Sequence, residues 1–386
     1  MNTLQKIKEY FFPTINPLPA GMFHYQSPLE DEANVRYHLR VEEDGSALLI
    51  LNASTVLHLN QTAAEFAYYM LHGEQDQAII NKIAKRYRVA REQAETDYLN
   101  FKAQIDGLLN TTDLDPVTFF GFDRINPYSA NISAPYRMDL ALTYQSDAEA
   151  SQQVAPLSRV KRELGTVEWQ TILQKLWQAG IPHVNFTGGE PTLRPDLLDI
   201  IEFAEELGLV TGLLTDGNRL TEPAYLQQLL QSGVDHIMLM LDPQSDHSWE
   251  SLRDCLAEDV YITVHFTLTV NNQELMAEAI RETARMGVPS ISISTDSLHL
   301  KTELEHLQQL IAELNLTLVW DIPVPYSSFN PVALETINSE DTAIGAGKAW
   351  LYVEPDGDVL EAQGIPDVWG NLVKDEWQTI WAFKKN

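Results

Sequence analysis

The chain has 386 residues, 44% of them hydrophobic and 21% charged, with 55 acidic against 26 basic side chains for a net charge of −29. That length suits two or three domains, and the acidity argues against nucleic acid as a partner, because Lys and Arg neutralising phosphates carry most of that affinity. Cys255 is the only cysteine, which excludes intramolecular disulfides and any zinc or iron–sulfur centre held by several thiolates of this chain.

Residues 1–31 read as an N-terminal arm: a short helix over 4–12, then "PTINPLPAG", whose prolines favour extended chain. The arm has no signal-peptide pattern, and no later run approaches the roughly 20 apolar residues of a membrane span, so a cytoplasmic protein is expected. Over 32–112, "VRYHLRVEEDGSALLILNASTVLHLN" predicts three short strands with a hairpin turn at Asp44-Gly45. "QTAAEFAYYMLHG", capped by Asn60 or Thr62 and stopped by Gly73, "DQAIINKIAKRYRV" and "AREQAETDYLNFKAQIDGLL" then carry helical spacing. Strands followed by three helices describe a winged-helix-like α+β domain. Residues 113–135 read as a linker.

From residue 136 strands and helices alternate, the pattern of βα units on a parallel sheet. "YRMDLALTY", "HVNFTGGE", "VTGLLTDG", "HIMLML", "YITVHFTLTV" and "SISISTD" are each followed by a helix. Six units are too few to close an eight-stranded barrel, so the fold class is α/β, with a TIM-barrel-like but open (β/α)6 arrangement over 136–326. "WDIPVPYSSFNP" reads as a proline-spaced loop at the barrel mouth, serving a partner surface or a plain connector. Residues 327–386 form a small extension: a hairpin turning at Pro355 to Gly357, a short terminal helix, and a core expected from Trp350, Tyr352, Trp369, Trp377 and Trp381.

In such a sheet the functional groups gather at the carboxyl ends of the strands. "TGGEP" ends the second strand, where Gly188 and Gly189 permit close backbone approach and Glu190 offers a carboxylate to an ammonium group. Asp216 and Asn218 in "LLTDGNRL" and Asp242 in "LMLDP" end the next two strands. The competing reading is that Gly, Pro and Asx persist there because turns need them. His183 and His236 fall at the opposite strand ends and His265 midway, so structural roles are expected for all three. Asp246 and His247, which share the active end with Asp242, also fit a helix start capped by Ser245 or Asp246.

"TGGEP" between a strand and a helix, with "LLTDGNRL" and "LMLDP" following, resembles the radical S-adenosylmethionine superfamily. "VLHLNQTAAEFAYYMLHG" resembles the PqqD-like peptide-recognition domain that grips a leader peptide by β-augmentation. "PDGDVLEAQG…WGNLV…IW" resembles the start of a SPASM/Twitch-type extension. The resemblance implies a peptide maturase whose first strand runs into CxxxCxxC, three thiolates on a [4Fe–4S] cluster that binds S-adenosylmethionine. Here those positions fall at Ser146, Ala150 and Gln153, and the extension has Ala362 where the family has cysteine. No [4Fe–4S] cluster is expected, while Gly188, Gly189, Glu190, Asp216, Asn218 and Asp242 could retain S-adenosylmethionine binding.

Three functions compete. The favoured one is a non-catalytic pseudoenzyme that binds a peptide or protein partner through residues 32–112. The alternatives are an enzyme using S-adenosylmethionine by polar rather than radical chemistry, and a structural subunit of a larger assembly.

Overall fold

A computed structural model describes residues 16–26, 35–51, 55–110, 132–146, 159–295, 298–319, 324 and 345–383. The helix expected over 4–12, most of the linker, most of the "WDIPVPYSSFNP" loop, Ala150 and Gln153 lie outside them. The chain divides into two compact units, Met1–Ser133 with Gln178–Gly180, and Ala134–Trp177 with Ile181–Asn386. No helix among the described residues is long and apolar enough to cross a membrane.

The first unit is a four-stranded antiparallel meander, β1 (Gly21–Gln26), β2 (Arg36–Val41), β3 (Ala47–Leu51) and β4 (Thr55–Leu59), in that spatial order. Helices α1 (Gln61–Leu71), α2 (Asp76–Tyr87) and α3 (Arg91–Asn110) follow. The period-2 alternation sets the register: Leu39, Leu49 and Leu57 align across β2, β3 and β4, as do Val41, Ala47 and Leu59, and all six are buried. The Asp44-Gly45 turn forms as expected, with Gly45 at φ +84° and Asp44 accepting from the Ser46 amide and hydroxyl at 2.9 and 2.6 Å. Asn60, rather than Thr62, caps α1 by accepting from the Ala63 amide at 3.0 Å. The arm read over 1–31 supplies one strand more than the three expected. Its Gly21–Gln26 pairs along the whole of β2, because the extended conformation that its prolines favour is also what a strand edge accepts.

The second unit is a ten-stranded sheet. Strands β5 (Arg137–Thr143), β6 (His183–Gly188), β7 (Val210–Thr215), β8 (His236–Met240), β9 (Tyr261–Leu268) and β10 (Ser290–Thr295) run parallel, and each is followed by a helix. These helices are α4 (Thr166–Gln178), α5 (Leu197–Glu206), α6 (Pro223–Gln231), α7 (Asp246–Leu256), α8 (Gln273–Arg285) and α9 (Lys301–Glu313). All six expected βα units are present, and a two-residue strand β11 (Thr317–Leu318) extends that side. The register sorts the side chains by face. Leu140, Phe186, Leu213, Leu239, Val264 and Ile291 share an apolar face, the one that amphipathic helices such as α5, with Leu197, Ile200, Ile201 and Ala204 buried, require as cover. Asp139, Asn185, Met238, Thr263, His265 and Ser292 share the other face.

The C-terminal extension joins this sheet rather than standing apart. Strand β12 (Trp350–Val353) pairs parallel with β5, and β13 (Asp358–Leu360) and β14 (Val368–Asn371) continue antiparallel, before helix α10 (Trp377–Ala382). The expected turn closes with the Gly357 amide donating to Glu354 O at 2.8 Å and Gly357 at φ +89°. Of the five aromatics expected to build its core, Trp350, Tyr352, Trp377 and Trp381 are buried and Trp369 is half-buried. Trp377 and Trp381 stack with ring centroids 5.6 Å apart.

Candidate functional site

The Gly188–Glu190 loop leaves β6 against the chain that leaves β5. The Gly189 amide donates to Thr143 O and the Glu190 amide to Gln145 O, both at 2.7 Å. A Cβ at Gly188, whose φ is +133°, would sit 2.0 Å from Thr143 O, and one at Gly189 would sit 2.1 Å from Gln145 O. The sequence left open whether these glycines serve a ligand or the fold. In the structure they admit the chain's own main chain.

Glu190 is buried and takes four donors. Oε1 accepts from the Thr192 amide at 2.9 Å, the Thr192 hydroxyl at 2.6 Å and the Thr215 hydroxyl at 2.8 Å, while Oε2 accepts from the Asp216 amide at 2.8 Å. Burial and the nearby Asp216 carboxylate push its pKa up to about 8 against these donors. The side chain also caps the 3-10 turn Pro191–Leu193. Further along the same motif, Arg194 donates to Leu142 O at 2.9 Å and to Leu164 O at 3.0 Å, and pairs with Asp196 at 2.8 Å. The motif therefore clasps the carboxyl end of β5 from two directions.

The other expected residues lie at the ends of β7 and β8. Asp216 accepts from the Asn218 amide at 2.9 Å and its side-chain amide at 3.0 Å, a local Asx turn beside Glu190. Asp242 is exposed and accepts from the Gln244 amide at 2.9 Å, another such turn, and Ser245 caps α7. His247 bridges these ends, its Nε2 lying 3.3 Å from both Asn218 O and the Thr221 hydroxyl. Gly188, Gly189, Glu190, Asp216 and Asn218 thus form one connected group, whereas Asp242 serves its own helix.

The donor set does not fit a [4Fe–4S] cluster. Ser146 and Ala362 supply no soft ligand, and Cys255 is fully buried on α7, its thiol pushed up to about 12 by burial and neighbouring carboxylates. In the β5 exit instead stand residues that sequence reasoning missed. Glu163 accepts from the Thr143 hydroxyl and the Tyr144 amide, each at 2.8 Å. Tyr144 donates to Glu354 at 3.1 Å, and Arg159 pairs with the same oxygen at 2.5 Å. Glu354 lies in "EPDGDV", legible from the sequence only as a turn.

His183 and His236 stand at the amino ends of their strands, as expected, and belong to a wider group. His183 and His236 meet edge to face with centroids 5.1 Å apart at the amino ends of β6 and β8. Beside them Arg137 pairs with Asp139 at 2.8 Å, and Asn185 donates to Asp139 at 3.0 Å. His265 is buried between the Ser292 and Ser294 hydroxyls, 3.0 Å from each.

Residues 155–247 match the model of the Radical SAM superfamily. Among curated relatives, the PqqA peptide cyclase of Rhizobium meliloti (strain 1021) is 26% identical over 64% of this chain and 71% of its own length. Over these stretches the chain is similar to the radical SAM superfamily and to PqqA peptide cyclases, while its single cysteine leaves CxxxCxxC absent. The PqqA peptide cyclase of Streptomyces rochei is 27% identical over 62% of this chain and 66% of that protein. Among solved structures, Streptococcus suis SuiB bound to the precursor peptide SuiA covers 89% of this chain and 86% of its own at a TM-score of 0.57, with 14% identity, a likeness of fold.

Proposed function

We propose that this radical SAM-like protein is a cluster-free pseudoenzyme that binds a peptide or protein partner through residues 32–112. The observation that carries the reading is the β5 exit: no thiolate is within its reach, and its polar groups are spent on the Gly188–Glu190 loop, Glu163 and Glu354. A radical reaction needs a cluster as electron donor, and this chain lacks the ligands to hold one. The PqqD-like reading of the first unit supplies the partner site. Its sheet ends in β1, whose outer edge carries no further strand among the described residues, and such an edge can add an extended peptide. Tyr25, Tyr37, Met70, Phe101 and Ile105 line a cavity of about 190 Å³ beside that edge, room for one apolar side chain of a partner. SuiB, a protein of like fold, has been solved with its precursor peptide bound.

One observation favours the second reading, retained S-adenosylmethionine binding. Glu190 Oε1 holds three donors, whereas Oε2 holds one among the described residues, which leaves a lone pair for an ammonium group. A single experiment separates the two. After anaerobic iron–sulfide reconstitution, iron content and S-adenosylmethionine calorimetry are measured, and the pseudoenzyme should show no stoichiometric iron and no binding. Four irons per chain would overturn it, while binding without iron would transfer the site to the second reading. Chelators and air should leave the melting temperature unchanged, since the extension's core is aromatic packing.

A further inference from the structure

Three segments far apart in sequence meet at one carboxylate oxygen. Tyr144, just past the end of β5, donates to Glu354 Oε1 across 210 residues, and Arg159 pairs with the same atom across 195. The Tyr352 hydroxyl lies 3.5 Å from that of Tyr144. Glu354 and both tyrosines are 1% exposed, and Ala141, Leu360 and Val160 pack around the tyrosines. A carboxylate so buried is tolerated only when a cation and hydrogen-bond donors meet it, and here Arg159 and Tyr144 do. The main chain adds to the junction: the Leu164 amide donates to Pro355 O at 2.8 Å.

We infer that Glu354 is a tie that fastens the β12–β13 hairpin to the exit of β5 and to Arg159 through one oxygen. Asp356 and Asp358 lie near Glu354, but a cation site is the weaker account. Asp358 already accepts from Asn371 at 2.7 Å, and Arg159 supplies the positive charge that Glu354 needs. The tie is independent of what the first unit binds.

Hydrogen exchange on the full chain tests it, with Glu354→Gln, Arg159→Met and the double variant. Each single variant should speed amide exchange over residues 143–145 and 350–360 by roughly tenfold. The double variant should add little, because both residues act through one contact, and amides of β8 and β9 should keep their rates. Tyr144→Phe should give a smaller rise confined to 143–145. Unchanged rates, an equal rise in β8 and β9, or single effects that multiply in the double variant would each overturn the tie. If Glu354→Gln does not fold, Arg159→Met and Tyr144→Phe still decide, since each removes one arm and leaves the carboxylate partnered.

Discussion

At their carboxyl ends, β5 and β6 meet through main chain, with Gly189 and Glu190 amides on the Thr143 and Gln145 carbonyls. At their amino ends the same strands, paired by their ladder, also meet through side chains, Arg137 and Asp139 with His183 and Asn185. Both ends are polar and largely buried, yet they respond to change differently. A main-chain contact cannot shift without moving a strand, whereas the far end of a side chain can turn away. The carboxyl end is therefore specified by glycine, and the amino end by charge.

Gly188→Ala tests the first half of that contrast and should be the most damaging single change. Its Cβ would overlap Thr143 O at 2.0 Å, at a φ of +133° that L side chains rarely adopt. A loss of about 3 kcal/mol, or failure to fold, is expected in urea unfolding. A cost below about 1 kcal/mol would mean that the two strand ends are not in main-chain contact.

The pH dependence of stability should divide between the two ends. His236 is held down to about 4 by burial and the Arg137 charge, and burial with the charges of His236 and Arg137 lowers His183 well below the ordinary range. Such groups bind more protons unfolded than folded. Their contribution is complete above the ordinary histidine value near 6.5 and is lost as pH falls toward 4. Glu190, raised to about 8, works in the other direction: the folded state holds its proton, and stability is lost as pH rises from the ordinary carboxyl range through 8. Glu190→Gln should flatten the alkaline limb of a stability–pH curve and leave the acid limb, while His183→Gln and His236→Gln should do the reverse.

Gly212→Ala probes the amino end sterically. Its Cβ would fall 2.3 Å from both Asn185 Oδ1 and His236 Nε2, which are side-chain tips. Those tips can rotate, so a loss of about 1 kcal/mol is expected, well short of Gly188→Ala. Equal losses at the two glycines would erase the distinction between the strand ends.

The alternation of strand and helix was legible because each βα unit carries its own periodicity and its own stop, as Gly208 at φ +79° stops α5. The Asp44-Gly45 turn, the Asn60 cap and the Pro355–Gly357 turn were legible for the same local reason. What the sequence hid is non-local. Nothing near Glu354 announces Tyr144 or Arg159, some 200 residues away, and a strand such as β12 looks the same whether it pairs with β5 or stands in an isolated hairpin. The glycines of "TGGEP" were visible, but their reason is a carbonyl on another strand.

Asp242→Ala should have the smallest effect on the fold, and for that reason it is informative. Asp242 is exposed and, among the described residues, its carboxylate accepts from the Gln244 amide at 2.9 Å, so a loss of about 0.5 kcal/mol is expected from the broken turn. Asp216→Ala removes a similar Asx turn, but beside the buried Glu190, and should also shift that carboxyl's titration downward by removing a like charge. If the parent chain and both variants give no heat in S-adenosylmethionine calorimetry, as the pseudoenzyme reading requires, these carboxylates serve turn geometry. If the parent chain does bind and Asp242→Ala weakens it while its stability holds, the exposed carboxylate belongs to a ligand site, and the carboxyl end of the sheet has kept a function that its amino end never had.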